Sequence, residues 1–321
     1  MFKDLANRII KPFPITLFSI VMGLSGLVTV YEKVAFLFEA PPIIYEVLLG
    51  ITSALLAIIF GLYALKVALY TDEVKAELYH PIKINFFSAI PISFLLISIS
   101  WYNEVNPLIG IVLWYAAAPV QLLMLLFTFG RWIRHDHSLA HANPAWFIPI
   151  VGTILIPVVG VDIAPLFVSI FFFSIGLFFW IIFFTIILYR LIFHDTLQTK
   201  FIPTLFIFIA PPAVGLISYV RLTGQLDLFG YVLYSLALFL VLLLLSMAPH
   251  FKMPKFFISW WAYTFPLDAA ALSSMLLYEL TREPLFAVIS VITVTLATLV
   301  IAYISWATLK QLVAGQLLVE D

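Results

Sequence analysis

Charged residues in this chain stand in short clusters, and the stretches between them are long and almost wholly apolar. Nine runs of 19 to 27 residues contain no Asp, Glu, Lys, Arg or His, and a helix needs roughly 20 such residues to cross the hydrocarbon of a bilayer. A tenth run, 256–278, is interrupted once, by Asp268. The pattern predicts an all-α polytopic membrane protein whose ten helices cover 12–31, 45–70, 82–103, 105–130, 143–161, 163–190, 201–220, 227–249, 255–278 and 284–310. Together they make residues 1–321 a single transmembrane domain. Residues 1–11 read as a short basic lead-in to a full-length span, with no cleavage pattern of a signal peptide.

Lysine and arginine set an orientation. If the N-terminus is cytoplasmic, 13 of the 16 basic residues fall on the cytoplasmic side, and only Lys33, Arg221 and Arg282 fall on the other. Both termini are then cytoplasmic. The turns joining spans three to four and five to six are short, so consecutive helices are expected to pack as antiparallel hairpins.

Proline placement separates odd spans from even ones. Pro91, Pro149, Pro157, Pro211, Pro212 and Pro266 lie well inside odd spans, against Pro119 alone in the even ones. Each odd span also carries an aromatic residue followed five positions later by a helix-weakening one. The pairs are Phe18 with Gly23, Phe86 with Pro91, Phe147 with Gly152, Phe206 with Pro211 and Trp261 with Pro266. Five hairpins with one kinked member each are the expected result. If the kinked helices surround an axis, the residues just before the breakers share one level of the central space: Met22, Ile90, Val151, Ala210 and Phe265. Four are aliphatic and one is a large ring. A narrow apolar lumen plugged by one ring would act as a gate that opens by a change of rotamer. The alternative is that Phe265 is packed like the other phenylalanines of the core.

Composition narrows the chemistry. The chain is 64% hydrophobic and 10% charged, whereas a soluble exterior needs about a quarter charged residues, so a soluble globular enzyme is excluded. With no cysteine there is no disulfide, thiolate nucleophile or cysteine metal site. A net charge of -1 gives no steering toward nucleic acid. No phosphate-cradling glycine loop and no hydrolase set occurs, and no cofactor is expected. His135, Asp136, His137 and His141 sit on a loop, and His80 with Glu73, Lys75 and Glu77 on another; both read as solvated connections. Glu279, Arg282 and Glu283 read as a surface turn.

Four segments carry a family resemblance: 79–93 (YHPIKINFFSAIPIS), 106–122 (NPLIGIVLWYAAAPVQL), 143–152 (NPAWFIPIVG) and 260–267 (WWAYTFPL). They resemble the TehA / slow-type anion channel family, also called the tellurite-resistance and dicarboxylate transporter family, in order along the whole chain. The resemblance implies five helical hairpins in quasi-fivefold arrangement and a pore through each protomer, lined by kinked odd helices. It also implies a homotrimer, and a ninth-helix phenylalanine blocking the pore, which falls on Phe265. A gated channel in the plasma (inner) membrane, passing small monovalent anions such as nitrate and chloride, is the expected function. An exporter of dicarboxylate, sulfite or tellurite-type oxyanions and a non-transporting sensor are the alternatives. Anions would be drawn by Lys83, Lys200, Lys252 and Lys255 at the mouth, by backbone amides at the kinks, and by the hydroxyls of Ser19, Ser88, Thr264 and Ser273. Asp268 departs from a neutral pore. Burial would protonate it, Lys83 or Lys255 would pair with it, or it would face a hydrated vestibule; if it faces the pore ionised it is a proton or electrostatic site that weakens anion conduction or couples it to protons, and a carboxyl packed between helices is the plain alternative.

Overall fold

The structure, a computed structural model, describes residues 6–136, 138–251 and 255–318. Lys3, His137 and Lys252 lie outside the described residues. Ten spans are present: Ile15–Phe38, Ile43–Leu69, Lys83–Val105, Pro107–Arg134, Pro144–Ile163, Leu166–Phe193, Thr199–Thr223, Leu228–His250, Ile258–Tyr263 continued by Thr264–Thr281, and Pro284–Val313. Among the described residues, nine of these are long and apolar enough to cross a membrane. The ninth span carries Asp268 and several hydroxyl residues, and it is tolerated because protein surrounds it on most sides.

The spans form two layers. Span 1 packs on span 3, span 3 on span 5, span 5 on span 7, span 7 on span 9, and span 9 returns to span 1. Each even span packs outside the odd span before it, so five hairpins close into a ring. Between 72% and 83% of each apolar window in spans 1, 3, 5 and 7 is buried, against 22% to 39% in the even spans, which makes the odd spans the inner wall and the even ones the lipid-facing scaffold. The turns are fixed by short polar side chains, the usual device for a helix start. Asn106 accepts from the Leu108 amide at 3.0 Å, and Asp227 from the Phe229 and Gly230 amides at 3.0 and 3.2 Å. Donation by the Tyr219 hydroxyl holds the Asp227 carboxyl below the usual carboxylate range.

All five odd spans begin as 3₁₀-helix and become α-helix, at Phe18, Ala89, Phe147, Ala210 and Thr264. The breakers follow that switch within five residues. Pro91, Pro211 and Pro266 occupy the first turn of the α-helical part, where a missing N–H would have no α-helical acceptor. Gly23 and Gly152 instead continue regular helix and mark close approaches: a Cβ on Gly23 would run into the Thr264 side chain, and one on Gly152 into Gln121.

One connection differs from the sequence expectation. Thr71–Tyr79, read as a solvated loop, is a helix, and its Glu77 is buried. The Glu77 carboxylate accepts from the Tyr63 hydroxyl at 2.8 Å and from the Ile15 amide at 3.3 Å, and Lys66 Nζ lies 3.2 Å away. Lys66 also donates to the Phe13 carbonyl at 2.8 Å, so this ion pair serves polar backbone groups at the start of span 1. The Tyr63 ring meets Phe18 and Phe87 edge-on, tying the first turns of spans 1 and 3 to the same cluster. Removing one member of a buried pair strands the other charge. Glu77→Ala is therefore expected to cost about 3–5 kcal/mol in detergent unfolding, and the double variant Lys66→Met/Glu77→Met to recover most of it. A double variant as unstable as the single one would refute this role.

Candidate functional site

At the end where the odd spans begin, the ring opens into a cavity of about 720 Å³. Its wall is built from the first turns of spans 1, 3, 7 and 9, through residues such as Thr16, Ser19, Phe86, Thr204 and Ser259. Lys83, Lys200, Lys255 and His80 line it as well. His80 Nδ1 accepts from the amides of Ile82 and Lys83 at 3.1 and 3.2 Å, which fixes the backbone that carries Lys83. The Lys200 ammonium lies over Phe201 and that of Lys255 over Phe257, at 5.5 and 5.0 Å. Helix N-termini carry partial positive charge, and the beginnings of four inner spans face this one space. Cations and helix ends therefore act with the same sign.

The cavity stops at Ser19, Phe86, Thr204 and Ala262, three, four, six and three residues short of Met22, Ile90, Ala210 and Phe265. On spans 1, 3 and 9 that interval is roughly 4.5–6 Å along a helix. Met22, Val151, Ala210 and Phe265 are buried and Ile90 is half-buried. Among the described residues 26 aromatic ring pairs occur, and the Phe265 ring belongs to none of them. The backbone beneath it is well anchored. Trp261 Nε1 donates to Thr308 Oγ1 of span 10 at 2.9 Å, Thr264 Oγ1 donates to the Trp261 carbonyl at 2.7 Å, and the Thr264 side chain lies against Gly23 of span 1. A ring without a stacking partner thus stands on a fixed stretch of helix.

Asp268 follows Thr264 by one turn and lies on the same helix face, against Gly26 of span 1: a Cβ there would fall 2.5 Å from Oδ2. The side chain is fully buried, and neither oxygen has a hydrogen-bond partner among the described residues. It therefore faces the seam between spans 1 and 9, roughly 60° around the helix from Phe265. Lys83 and Lys255 are in the cavity wall and not at this carboxylate, and Asp268 does not line that cavity. Of the hydroxyls expected along the path, Ser19 lines the cavity. Ser88 is fully buried with no partner among the described residues, Ser273 donates to the Ala270 carbonyl, and Thr264 belongs to the seam. Thr16, Thr204 and Ser259, which the sequence reading does not single out, stand in the 3₁₀ starts of spans 1, 7 and 9, and a charge-free run does not distinguish 3₁₀ from α-helix. The Gly23/Gly26 spacing was the available signal for the seam. Among the described residues no three His, Asp or Glu side chains gather to hold a metal ion.

The SLAC1 profile, described as voltage-dependent anion channel, matches residues 12–309. The chain is 29% identical over 297 residues to the S-type anion channel SLAH3 of Arabidopsis thaliana, an alignment covering 90% of this chain and 47% of that protein. It is 28% identical over 302 residues to the uncharacterized transporter MJ0576 of Methanocaldococcus jannaschii, covering 85% and 86%. With the tellurite resistance protein TehA homolog of Haemophilus influenzae it shares 25% over 276 residues, covering 85% and 84%. The chain thus spans about half the length of the plant relatives and most of the archaeal and bacterial ones.

The seam can be tested by its steric complementarity. Gly26→Ala overfills it and is expected to cost about 1–3 kcal/mol, read as a lower unfolding temperature in detergent. Asp268→Ala in the same chain makes room and should restore stability. Failure of the second change to compensate would separate the two residues.

Proposed function

The chain belongs to the SLAC1 voltage-dependent anion channel family, and from that premise we propose that it is a gated channel passing small monovalent anions through the lumen of each protomer. The observation that carries this reading is the basic cavity ending about one helical turn before an apolar level that includes Phe265. Lys83, Lys200 and Lys255, with the inner-helix N-termini, concentrate anions at the mouth by long-range attraction. The apolar level then excludes water, and the Phe265 ring closes it until the ring rotates aside. With no basic residue at the level of Met22, Ile90, Val151, Ala210 and Phe265, an entering anion exchanges hydration for weak contacts only. Passage is then ordered by dehydration cost, and nitrate precedes chloride. The basic end is the cytoplasmic one by the distribution of lysine and arginine, and the membrane is the plasma (inner) membrane. The assembly is a homotrimer, a part of the reading that rests on the family resemblance.

A second reading is favoured by one observation, the unpartnered Asp268 carboxyl in the mid-span seam. A proton-coupled exporter of oxyanions would use such a group, because an intramembrane carboxyl that can gain and lose a proton links proton and substrate movement.

Anion flux in proteoliposomes separates the two. For the channel, Phe265→Ala is expected to raise flux at least about tenfold at equal reconstitution, nitrate flux exceeds chloride flux, and Asp268→Asn leaves the flux independent of a proton gradient. Unchanged flux in Phe265→Ala, or chloride preferred over nitrate, contradicts it. Saturable, proton-driven flux abolished by Asp268→Asn would establish the exporter instead. Neutralising Lys83 and Lys200 together is expected to lower channel flux several-fold at low salt and much less at about 1 M salt, where screening acts within roughly 3 Å.

A further inference from the structure

One basic side chain is hidden inside the protein at the end where the cavity opens. Arg190 stands in the last turn of span 6, a lipid-facing span, yet it is only 5% exposed. Among the described residues, neither Nε nor Nη1 has a hydrogen-bond partner and no carboxylate forms an ion pair with it. Burying a charge is costly unless it is paired, and the negative end of the span 6 helix offers only a partial charge. Arg190 shares the buried face of span 6 with Phe183 and Ile187. Phe183 meets Trp146 at the start of span 5 with ring centroids 5.8 Å apart, and Phe184 meets Phe208 of span 7 at 5.2 Å. From that second contact toward the mouth, Arg190 lies six α-helical residues away, roughly 9 Å, and Thr204 four 3₁₀ residues away, roughly 8 Å. Arg190 is thus level with Thr204 of the cavity wall and stands behind that wall, since it does not line the cavity itself.

We propose that Arg190 is a specificity-determining residue of the anion path, a fixed cation behind the wall whose field makes the inner end of the cavity favour anions over cations. The inference deepens the channel reading and rests on it. Salt screens exposed charges within a few ångströms, but counter-ions do not reach a group enclosed by side chains, and its field spreads through a medium of low dielectric. A guanidinium suits the place because it is permanently charged and more weakly hydrated than an ammonium. Arg190 touches no passing ion. It raises anion occupancy and repels cations without forming a site that would hold the anion, and conduction requires release as much as entry.

The test is the reversal potential in planar bilayers under a potassium nitrate gradient, a quantity that does not depend on how many channels are folded. The full chain carrying Phe265→Ala serves as the parent and should reverse close to the nitrate equilibrium potential. Adding Arg190→Gln should move the reversal potential toward zero, matching about a fivefold fall in the nitrate-to-potassium permeability ratio. The fall should persist when the mean salt is raised to about 1 M. Arg190→Lys keeps the charge and should stay at the parent value. Ile186→Glu, one turn before Arg190 on the same helix, keeps the arginine but gives it a counter-ion, and should reproduce the shift without removing the buried side chain. An unchanged reversal potential in Arg190→Gln or Ile186→Glu, or a shift in Arg190→Lys as large as that in Arg190→Gln, overturns the proposal and leaves the channel reading in place. A parent that carries no nitrate current overturns both.

Discussion

The inner ring closes where span 9 meets span 1, and the closure depends on the absence of two side chains. Gly23 and Gly26 stand where Thr264 and Asp268 press inward, and any larger residue would force the helices apart. In hydrocarbon there is no hydrophobic drive between apolar helices, so close backbone approach and good packing hold them. This seam sets the helix that carries Phe265, and the hydrogen bonds from Trp261 and Thr264 brace the same turn. A wider seam would move the Phe265 ring relative to the central axis of the five odd spans.

The electrostatics divide along that axis. Cations and helix N-termini gather at one mouth, and the apolar level beyond carries no charge. The single mid-span carboxyl is turned into the seam beside Gly26. An intramembrane carboxyl is costly and usually serves a purpose. Its position one turn beyond Thr264 makes it a neighbour of the proposed gate through the backbone of span 9, without being a binding group in the cavity. The buried Lys66–Glu77 pair plays a comparable part at the mouth, where it holds the first turn of span 1.

Much of this was legible from the spacing of charges, because hydrocarbon admits few alternatives to an uncharged helix. Span 1 nonetheless runs to Phe38, past the predicted end at Tyr31. Glu32 accepts from Asn103 at 2.9 Å and Lys33 pairs with Glu279 at 2.5 Å, and partners so distant in sequence cannot be read from a local run of charge. The five-fold repeat was visible in its aromatic and breaker residues. Its physical content, a 3₁₀ start giving way to α-helix, was not, because proline is compatible with the first turn after such a switch as well as with a kink. The helix Thr71–Tyr79 escaped notice since its sequence is polar and its burial follows from Tyr63 and Lys66, which sit on another span.

On the proposed reading, Phe265 divides the lumen into a compartment open to the basic mouth and one closed to it. The natural absence of cysteine permits a direct measurement, the rate at which a negatively charged, membrane-impermeant thiol reagent applied from the basic side modifies Ala269→Cys, one turn beyond the ring on the same helix face. No measurable modification is expected with Phe265 in place and rapid modification when Phe265→Ala is added, while Ser19→Cys reacts in both backgrounds. Equal reactivity of Ala269→Cys with and without the ring would contradict it.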